Sequence, residues 1–502
     1  MLAIPNRALL LAFLLISMIG LATFTARADA ARSFTTGLVD AEAFEHGSDE
    51  AFDRAAGAGT KIIKNNLYWR WIIDDGDSAQ KPGTELEPFD ATDPGSSYYH
   101  WGTFDRIVRK ADARGMEVAF SVVGAPRWAR IDACKNLGEC SPRPADFANF
   151  ATAAAERYSG TFDPGNGEGT LPRVRYWQAW VEPNFGQFYK PMFKGNAPLA
   201  PYEYRKILNP FYEAIHGVDD SNTVIAAGLA PNGKKGLSIA PLDFTRRALC
   251  MTGTFRNPRP IAGCNFKVKA DVWAIHPYTT GEPAHLPTRG DDMSVAALPR
   301  LQKLLTAATR AGKVSGKNGK PELWVTEFSW DSSPPDPGGL PPALQTRWVA
   351  EAMYLMYKAN VSTMLWFGLR DQPKGPGKWA WTFQSGLYLR AGSIANDKPK
   401  KVLQAYRYPF YAKLAGKQGV SFWGRTPNSK PATIDLFARR GARGGFTKIG
   451  TTTANENGIF TGLVRKRGFT AKGAAYAKIR GGKASVAFGL WKTPKRYQPP
   501  FG

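Results

Sequence analysis

The stretch Arg175-Tyr176-Trp177-Gln178-Ala179-Trp180-Val181-Glu182-Pro183-Asn184 carries the reading on which the fold turns. It is an aromatic, apolar run of strand character that ends on a carboxylate, Glu182, with Pro183 unable to continue the ladder. A second run, Glu322-Leu323-Trp324-Val325-Thr326-Glu327-Phe328, has the same design, with Glu327 near its end. Between and around these two runs, residues 33–414 repeat one grammar: a short apolar or β-branched stretch followed by a helical stretch. The strand candidates are Thr35–Val39, Lys61–Trp71, Glu117–Val123, Val174–Trp180, Thr223–Gly228, Asp271–His276, Leu323–Phe328 and Thr363–Leu369. The clearest helix is Ala343–Ala359, with Trp348, Ala352, Leu355, Met356 and Ala359 along one face. Eight βα units predict an α/β fold, a (β/α)8 TIM barrel with long loops, over 33–414. The competing doubly wound sheet lacks its phosphate-binding turn: Gly165-Asn166-Gly167-Glu168-Gly169 has the wrong glycine spacing, and Gly312–Lys317 is one residue short of a P-loop.

After Leu414 the grammar changes to short alternating runs, such as Thr433–Phe437 and Ser485–Phe488, between glycine-rich turns. Residues 415–502 therefore read as a small C-terminal β-sandwich. This segment holds 17 lysines and arginines against two acids, Asp435 and Glu456, so it carries +15 of the chain's formal charge of +24. Such an excess provides solubility, or holds the protein to an anionic cell-wall polymer or acidic glycan through Arg439, Arg440, Arg443, Arg465-Lys466-Arg467 and Lys492-Lys495-Arg496. On the second reading, deleting the segment spares turnover of a small substrate. No nucleic-acid module is recognisable, which argues against nucleic acid as the partner.

Met1–Arg7 is short and basic, Ala8–Phe24 is apolar, and Ala28-Asp29-Ala30 is a small-x-small cleavage pattern. Residues 1–30 read as a secretory signal peptide, with a retained N-terminal membrane anchor as the alternative, and place the protein in a secreted or extracytoplasmic setting. The four cysteines fit that setting. Three pairings are open; the order along the chain favours two local ones, Cys134 with Cys140 and Cys250 with Cys264. A metal site is not expected, since there is no C-x-x-C and the five histidines lack ligand spacing.

In a parallel barrel, reactive groups stand at the carboxyl ends of strands. Glu182 continues the parity of Tyr176, Gln178 and Trp180, and Glu327 that of Leu323 and Val325, so both are expected to enter the barrel mouth. A carboxylate there is costly to desolvate without a purpose, and two of them three βα units apart can flank one bond. That is the arrangement of glycoside hydrolysis, in which one carboxyl protonates the leaving oxygen and the other attacks the anomeric carbon. Neither step needs a metal or a cofactor.

Four segments, Trp177–Asn184, Ala274-Ile275-His276-Pro277-Tyr278, Leu323–Phe328 and Leu365-Trp366-Phe367-Gly368-Leu369-Arg370-Asp371, resemble the fourth, sixth, seventh and eighth strand ends of clan A retaining glycoside hydrolases. The likeness is greatest to family 39 and related bacterial exopolysaccharide hydrolases. The resemblance implies Glu182 as acid/base, Glu327 as nucleophile, and a carbohydrate polymer or oligosaccharide as substrate. It further implies that His276 and Tyr278 orient the nucleophile or the sugar, that Asn184 belongs to the substrate site, that Trp366 floors a sugar ring, and that Trp128 in Ala125-Pro126-Arg127-Trp128 is a wall. Trp69, Trp379 and Trp381 are further stacking candidates. Two positions depart from the family pattern. Lys64 stands where arginine is usual, replacing a planar fork by a point charge. Val181 stands where the family has an asparagine that hydrogen-bonds the sugar 2-hydroxyl. Either another residue makes that bond, or the substrate has no free 2-hydroxyl, or catalysis has decayed and the protein is a carbohydrate-binding or envelope-associated one.

Overall fold

The computed structural model describes residues 33–375, 379 and 382–499. Eight parallel strands close a barrel: β1 (Thr35–Val39), β2 (Ile62–Tyr68), β3 (Glu117–Val123), β4 (Tyr176–Ala179), β5 (Thr223–Leu229), β6 (Val272–Ile275), β7 (Glu322–Phe328) and β8 (Val361–Phe367). Closure is made by β1, which pairs with β2 on one side and with β8 on the other, Thr35 against Thr363 through Val39 against Phe367. The outer layer contains α1 (Asp49–Gly57), α2 (Gly102–Asp112), α3 (Pro144–Arg157), α4 (Ala200–Val218), α5 (Pro241–Ala248), α6 (Leu298–Arg310), α7 (Pro342–Lys358) and α8 (Val402–Arg407). Strand alternation sorts the apolar residues into two cores. Val39, Ile62, Ala119, Ile225, Ala274, Trp324 and Leu365 fill the barrel, while their neighbours in sequence face the helices.

Two expected strands are shorter than the sequence indicates. β2 stops at Tyr68 and continues as the helical turn Trp69–Ile72, and β4 is only Tyr176–Ala179. The second difference has a backbone cause. Trp180 and Glu182 both take positive φ, 68° and 45°, so the strand breaks before the acid and parity does not extend to it. Trp180 faces outward, packing on Phe147 and Tyr189. Parity also fails in β7, where Leu323 and Val325 face the helices. Between Val325 and Phe328 the pairing with β8 slips by one residue, a β-bulge that turns Glu327 inward beside Thr326. Both glutamates reach the mouth, but through irregular backbone rather than through alternation.

The C-terminal region forms two antiparallel sheets. One joins β9 (Phe410–Leu414), β10 (Val420–Arg425) and β13 (Ile459–Val464); the other joins β11 (Ala432–Arg439), β12 (Thr447–Ala454), β14 (Ala474–Ile479) and the short β15 (Phe488–Gly489). β9 lies before the boundary expected at residue 414 and pairs along its whole length with β10. The region is not a loosely tethered module. Trp423 packs on Phe34, Tyr354 and Tyr357, and Tyr411 stacks on Tyr354 at 4.2 Å. Buried Arg425 donates to Phe34 O and Thr36 Oγ1 of the barrel's first strand and to Tyr406 O. Arg347 of α7 lies between the rings of Phe488 and Trp491 and donates to Gly489 O, Trp491 O and Thr493 Oγ1.

Cys134 is bonded to Cys140 and Cys250 to Cys264, with Cα–Cα separations of 5.3 and 5.8 Å, and no free cysteine occurs among the described residues. The signal or anchor expected at 1–30 lies outside the described residues. Among those described, no helix is long and apolar enough to cross a membrane.

Candidate active site

The site is assembled from the carboxyl ends of β2, β4, β6, β7 and β8. Its floor depends on one glycine. Gly228, at the end of β5, has φ +67°, and a Cβ there would stand 2.6 Å from Gln178 Nε2 and 3.1 Å from His276 Nε2. The backbone groups freed by the irregularity are satisfied from outside the barrel: Tyr204 of α4 donates its hydroxyl to Ala179 O at 2.8 Å and accepts from Ala227 N at 2.6 Å. Glu182 N in turn donates to Gly228 O.

His276 is fully buried between the two carboxylates. Its Nδ1 lies 2.8 Å from Glu182 Oε1 and 3.6 Å from Glu327 Oε2, and its Nε2 lies 3.1 Å from Thr326 Oγ1. Lys64, 1% exposed, donates from Nζ to Glu327 Oε1 at 2.8 Å, and the Tyr278 hydroxyl donates to Glu327 Oε2 at 3.4 Å. The two glutamates still present 11% and 13% of their side chains to solvent. Ligating atoms of Glu182, His276 and Glu327 all lie within 4.8 Å of one another, a grouping the histidine spacing did not foretell. Although the set has the donor types of a metal site, the Lys64 ammonium already occupies one Glu327 oxygen and opposes a second positive charge beside it.

Burial acts on both carboxyls in the same direction, and their neighbours separate them. Desolvation raises the pKa of Glu182, helped by the negative charge of Glu327 and only partly offset by the hydrogen bond and charge of His276. At Glu327 desolvation is outweighed by the charges of His276 and Lys64 and by hydrogen bonds from Lys64 and Tyr278, so its pKa falls below the ordinary value. Burial and the two carboxylates push the Tyr278 phenol well above its usual pKa, keeping it a donor. Environments that displace two neighbouring carboxyls in opposite directions are those that divide acid and base roles between them.

The other expected contacts take structural places. Asn184 is fully buried, donating from Nδ2 to Ala230 O and Ile239 O and accepting at Oδ1 from Ala230 N, so it has no free edge for a sugar. Trp366 is fully buried because strand alternation sends it to the helix side; its Nε1 donates to Ser385 O. Trp128, 5% exposed, packs edge-on against Trp69 and Phe89, and Trp69 is buried behind it. Trp379 is half-buried with Lys374 Nζ 5.5 Å from its ring, and Trp381 lies outside the described residues. Lining the recess with Lys64, Asn66, Glu327, Arg370 and Gln372 are Phe383 and, one residue beyond Trp366, Phe367. Its alternation with Leu365 was available in the sequence. A further overlooked aromatic is Trp71, which is 61% exposed after β2, with its ring 3.9 Å from that of Tyr68. Tyr68 connects it to the recess through Asn66, whose Nδ2 donates to the Tyr68 hydroxyl at 3.4 Å.

No sequence-family model and no curated protein matches the chain. Solved structures do. A family 39 glycoside hydrolase from the gut symbiont Bacteroides cellulosilyticus WH2 superposes with a TM-score of 0.50 at 16% identity, covering 86% of this chain and 80% of that one. A conserved exported protein from Bacteroides fragilis gives 0.48 at 12% identity over 89% and 96% of the two chains. A glucosidase from Croceicoccus marinus gives 0.46 at 12% identity over 89% and 95%. The last two are too distant to add weight. The first, with the closed eight-stranded sheet, gives this chain the barrel fold of a family 39 glycoside hydrolase.

Proposed function

We propose that the protein is an extracytoplasmic retaining glycoside hydrolase acting on a poly- or oligosaccharide, with Glu182 as acid/base and Glu327 as nucleophile. The observation that carries this reading is the pair of carboxyls whose donor atoms, with His276, lie within 4.8 Å of one another and whose pKa values are displaced in opposite directions. Retaining chemistry requires a carboxyl separation of ~5–5.5 Å; inversion needs room for a water between the groups. Protonated Glu182 gives its proton to the glycosidic oxygen as the Glu327 carboxylate attacks the anomeric carbon; the bond from that carbon to the glycosidic oxygen breaks, the alcohol leaves, and the sugar stays as an ester on Glu327. Ionised Glu182 then takes a proton from water, whose oxygen displaces Glu327 from the sugar and restores both groups. His276 holds Glu182 in place: Nδ1–H donates to Glu182 Oε1, a bond that strengthens once Glu182 is ionised, while Nε2 pairs with Thr326 Oγ1. The two disulfides support an oxidising, extracytoplasmic location.

Val181, 8% exposed and next to the acid, favours the second reading of a binding protein whose catalysis has decayed. One experiment separates the two. Wild type, Glu182→Gln and Glu327→Gln are assayed on activated aryl glycosides and a panel of extracellular polysaccharides. The enzyme reading expects each substitution to cost on the order of 10³-fold or more in kcat. Equal inertness of all three proteins, with polysaccharide binding retained, overturns it.

A further inference from the structure

The charge excess of the C-terminal region has a focus that joins Lys466 and Arg467, already named in the sequence, to Lys417, which was not. At the far end of the first sheet, the turn after β9 and the segment after β13 enclose a groove of ≈ 460 Å³ lined by Gly416, Lys417, Gly419, Lys466, Arg467 and Phe469. Lys417, Lys466 and Arg467 are exposed. The Arg440 side chain leans over Gly468 at the groove's edge, 3.6 Å from where a Cβ would stand.

The two walls are held together by backbone. Ala415 N donates to Gly419 O, closing the turn, and a Cβ on Gly419 would stand 2.0 Å from Val464 O, so only glycine lets the turn seat on the end of β13. Neither acid of residues 415–502 neutralises the cluster. Asp435 is taken by Lys448 at 2.8 Å and Arg480 at 2.9 Å, which pull its pKa below the carboxylate range. Glu456 precedes β13, at the opposite end of that strand from the groove. The strand is about 20 Å long at ~3.3 Å per residue, beyond the ~8 Å reach of charge at physiological salt. Cations gathered without a counter-ion repel one another, and an anion entering the groove relieves that repulsion. The half-buried Phe469 ring adds an apolar surface of the kind that packs on the C–H face of a pyranose.

We propose that this groove binds the carboxylate-bearing chain of an acidic polysaccharide, holding the protein on such a polymer while the barrel acts elsewhere along it. The choice of a polysaccharide over other polyanions rests on the glycosidase reading; the groove itself does not.

The test uses the full chain and polygalacturonate immobilised on a surface, with neutral dextran and phosphatidylglycerol vesicles as comparison probes. A variant combining Lys417→Ser, Lys466→Ser and Arg467→Ser is compared with Lys430→Ser, Lys478→Ser and Lys483→Ser, which removes the same charge elsewhere in the region. Losing three exposed charge contacts should weaken polygalacturonate binding about tenfold and flatten its salt dependence, with the control within about twofold of wild type. Lys417→Glu alone, on an exposed turn, gives the same direction if the triple variant is unstable. Equal loss in both triple variants, absence of wild-type binding, or tighter binding to the vesicles overturns the proposal. If binding behaves as expected while wild type and Glu327→Gln are equally inert on glycosides, the catalytic reading fails and the groove stands.

Discussion

Glu182 and Glu327 lie beside one histidine yet their pKa values are displaced in opposite directions, and Lys64 acts more on Glu327, which it meets by charge and hydrogen bond, than on Glu182, where its charge is a minor influence. Activity should fall on the acid side as Glu327 gains a proton and on the alkaline side as Glu182 loses one. Lys64→Met removes a cation from Glu327, whose pKa then rises. The acid limb of kcat/KM should therefore move to higher pH, and the alkaline limb by less, because Lys64 is a weaker influence on Glu182. A pH–rate profile with an unmoved acid limb would contradict this assignment. A second residue-scale expectation concerns Trp71, the exposed ring beyond the recess. Trp71→Ala should raise KM for an oligosaccharide about two- to tenfold, the range of a lost stacking contact, and leave an aryl monoglycoside within about twofold. Equal effects on both substrates would exclude a distal contact.

The elements that aim these residues were only partly legible beforehand. The eight strands and the α7 helix could be read because burial imposes a period on the sequence: two per strand repeat, and 3.6 on α7, where Trp348, Ala352 and Met356 are buried in line. The two glutamates do reach the barrel mouth, but not by the strand parity that led the sequence reading to them. Their inward aim comes from positive φ at Trp180 and Glu182 and from the β7 bulge, and register against a partner strand is not written in the period of either strand. The same blindness misplaced Trp366, whose alternation with Leu365 and Phe367 outranks its resemblance to a sugar-binding tryptophan. Tyr204 tests the element-scale account. Tyr204→Phe leaves Ala179 O and Ala227 N without a partner inside the protein, a cost of about 1–3 kcal/mol, readable as a lower urea midpoint. Because those groups frame the break before Glu182, kcat should fall as well. A variant with wild-type stability and kcat would show that the hydroxyl is not what holds the break.

For the whole molecule, the C-terminal sheets and the barrel share one continuous core, which changes the expectation attached to deleting residues 415–502. Cutting there splits the first C-terminal sheet after β9 and strips Trp423 and Arg425 from the barrel. The full chain should unfold in a single calorimetric transition, and a chain ending at Leu414 should be insoluble or markedly less stable rather than an independent catalytic barrel. Two well-separated transitions would refute the shared core. Arg425→Met, which leaves Phe34 O and Tyr406 O without donors, should cost roughly 2–3 kcal/mol. The Arg425 contacts also bear on the order in which the protein can be completed. Phe34 and Thr36 are made early, yet their arginine donor follows 391 and 389 residues later, and β1 finds its β8 neighbour only at residues 363–367. A ribosome must therefore deliver nearly the entire polypeptide before its first strand can be locked in place. Until then the chain has no closed barrel, and the strands already made present unpaired edges.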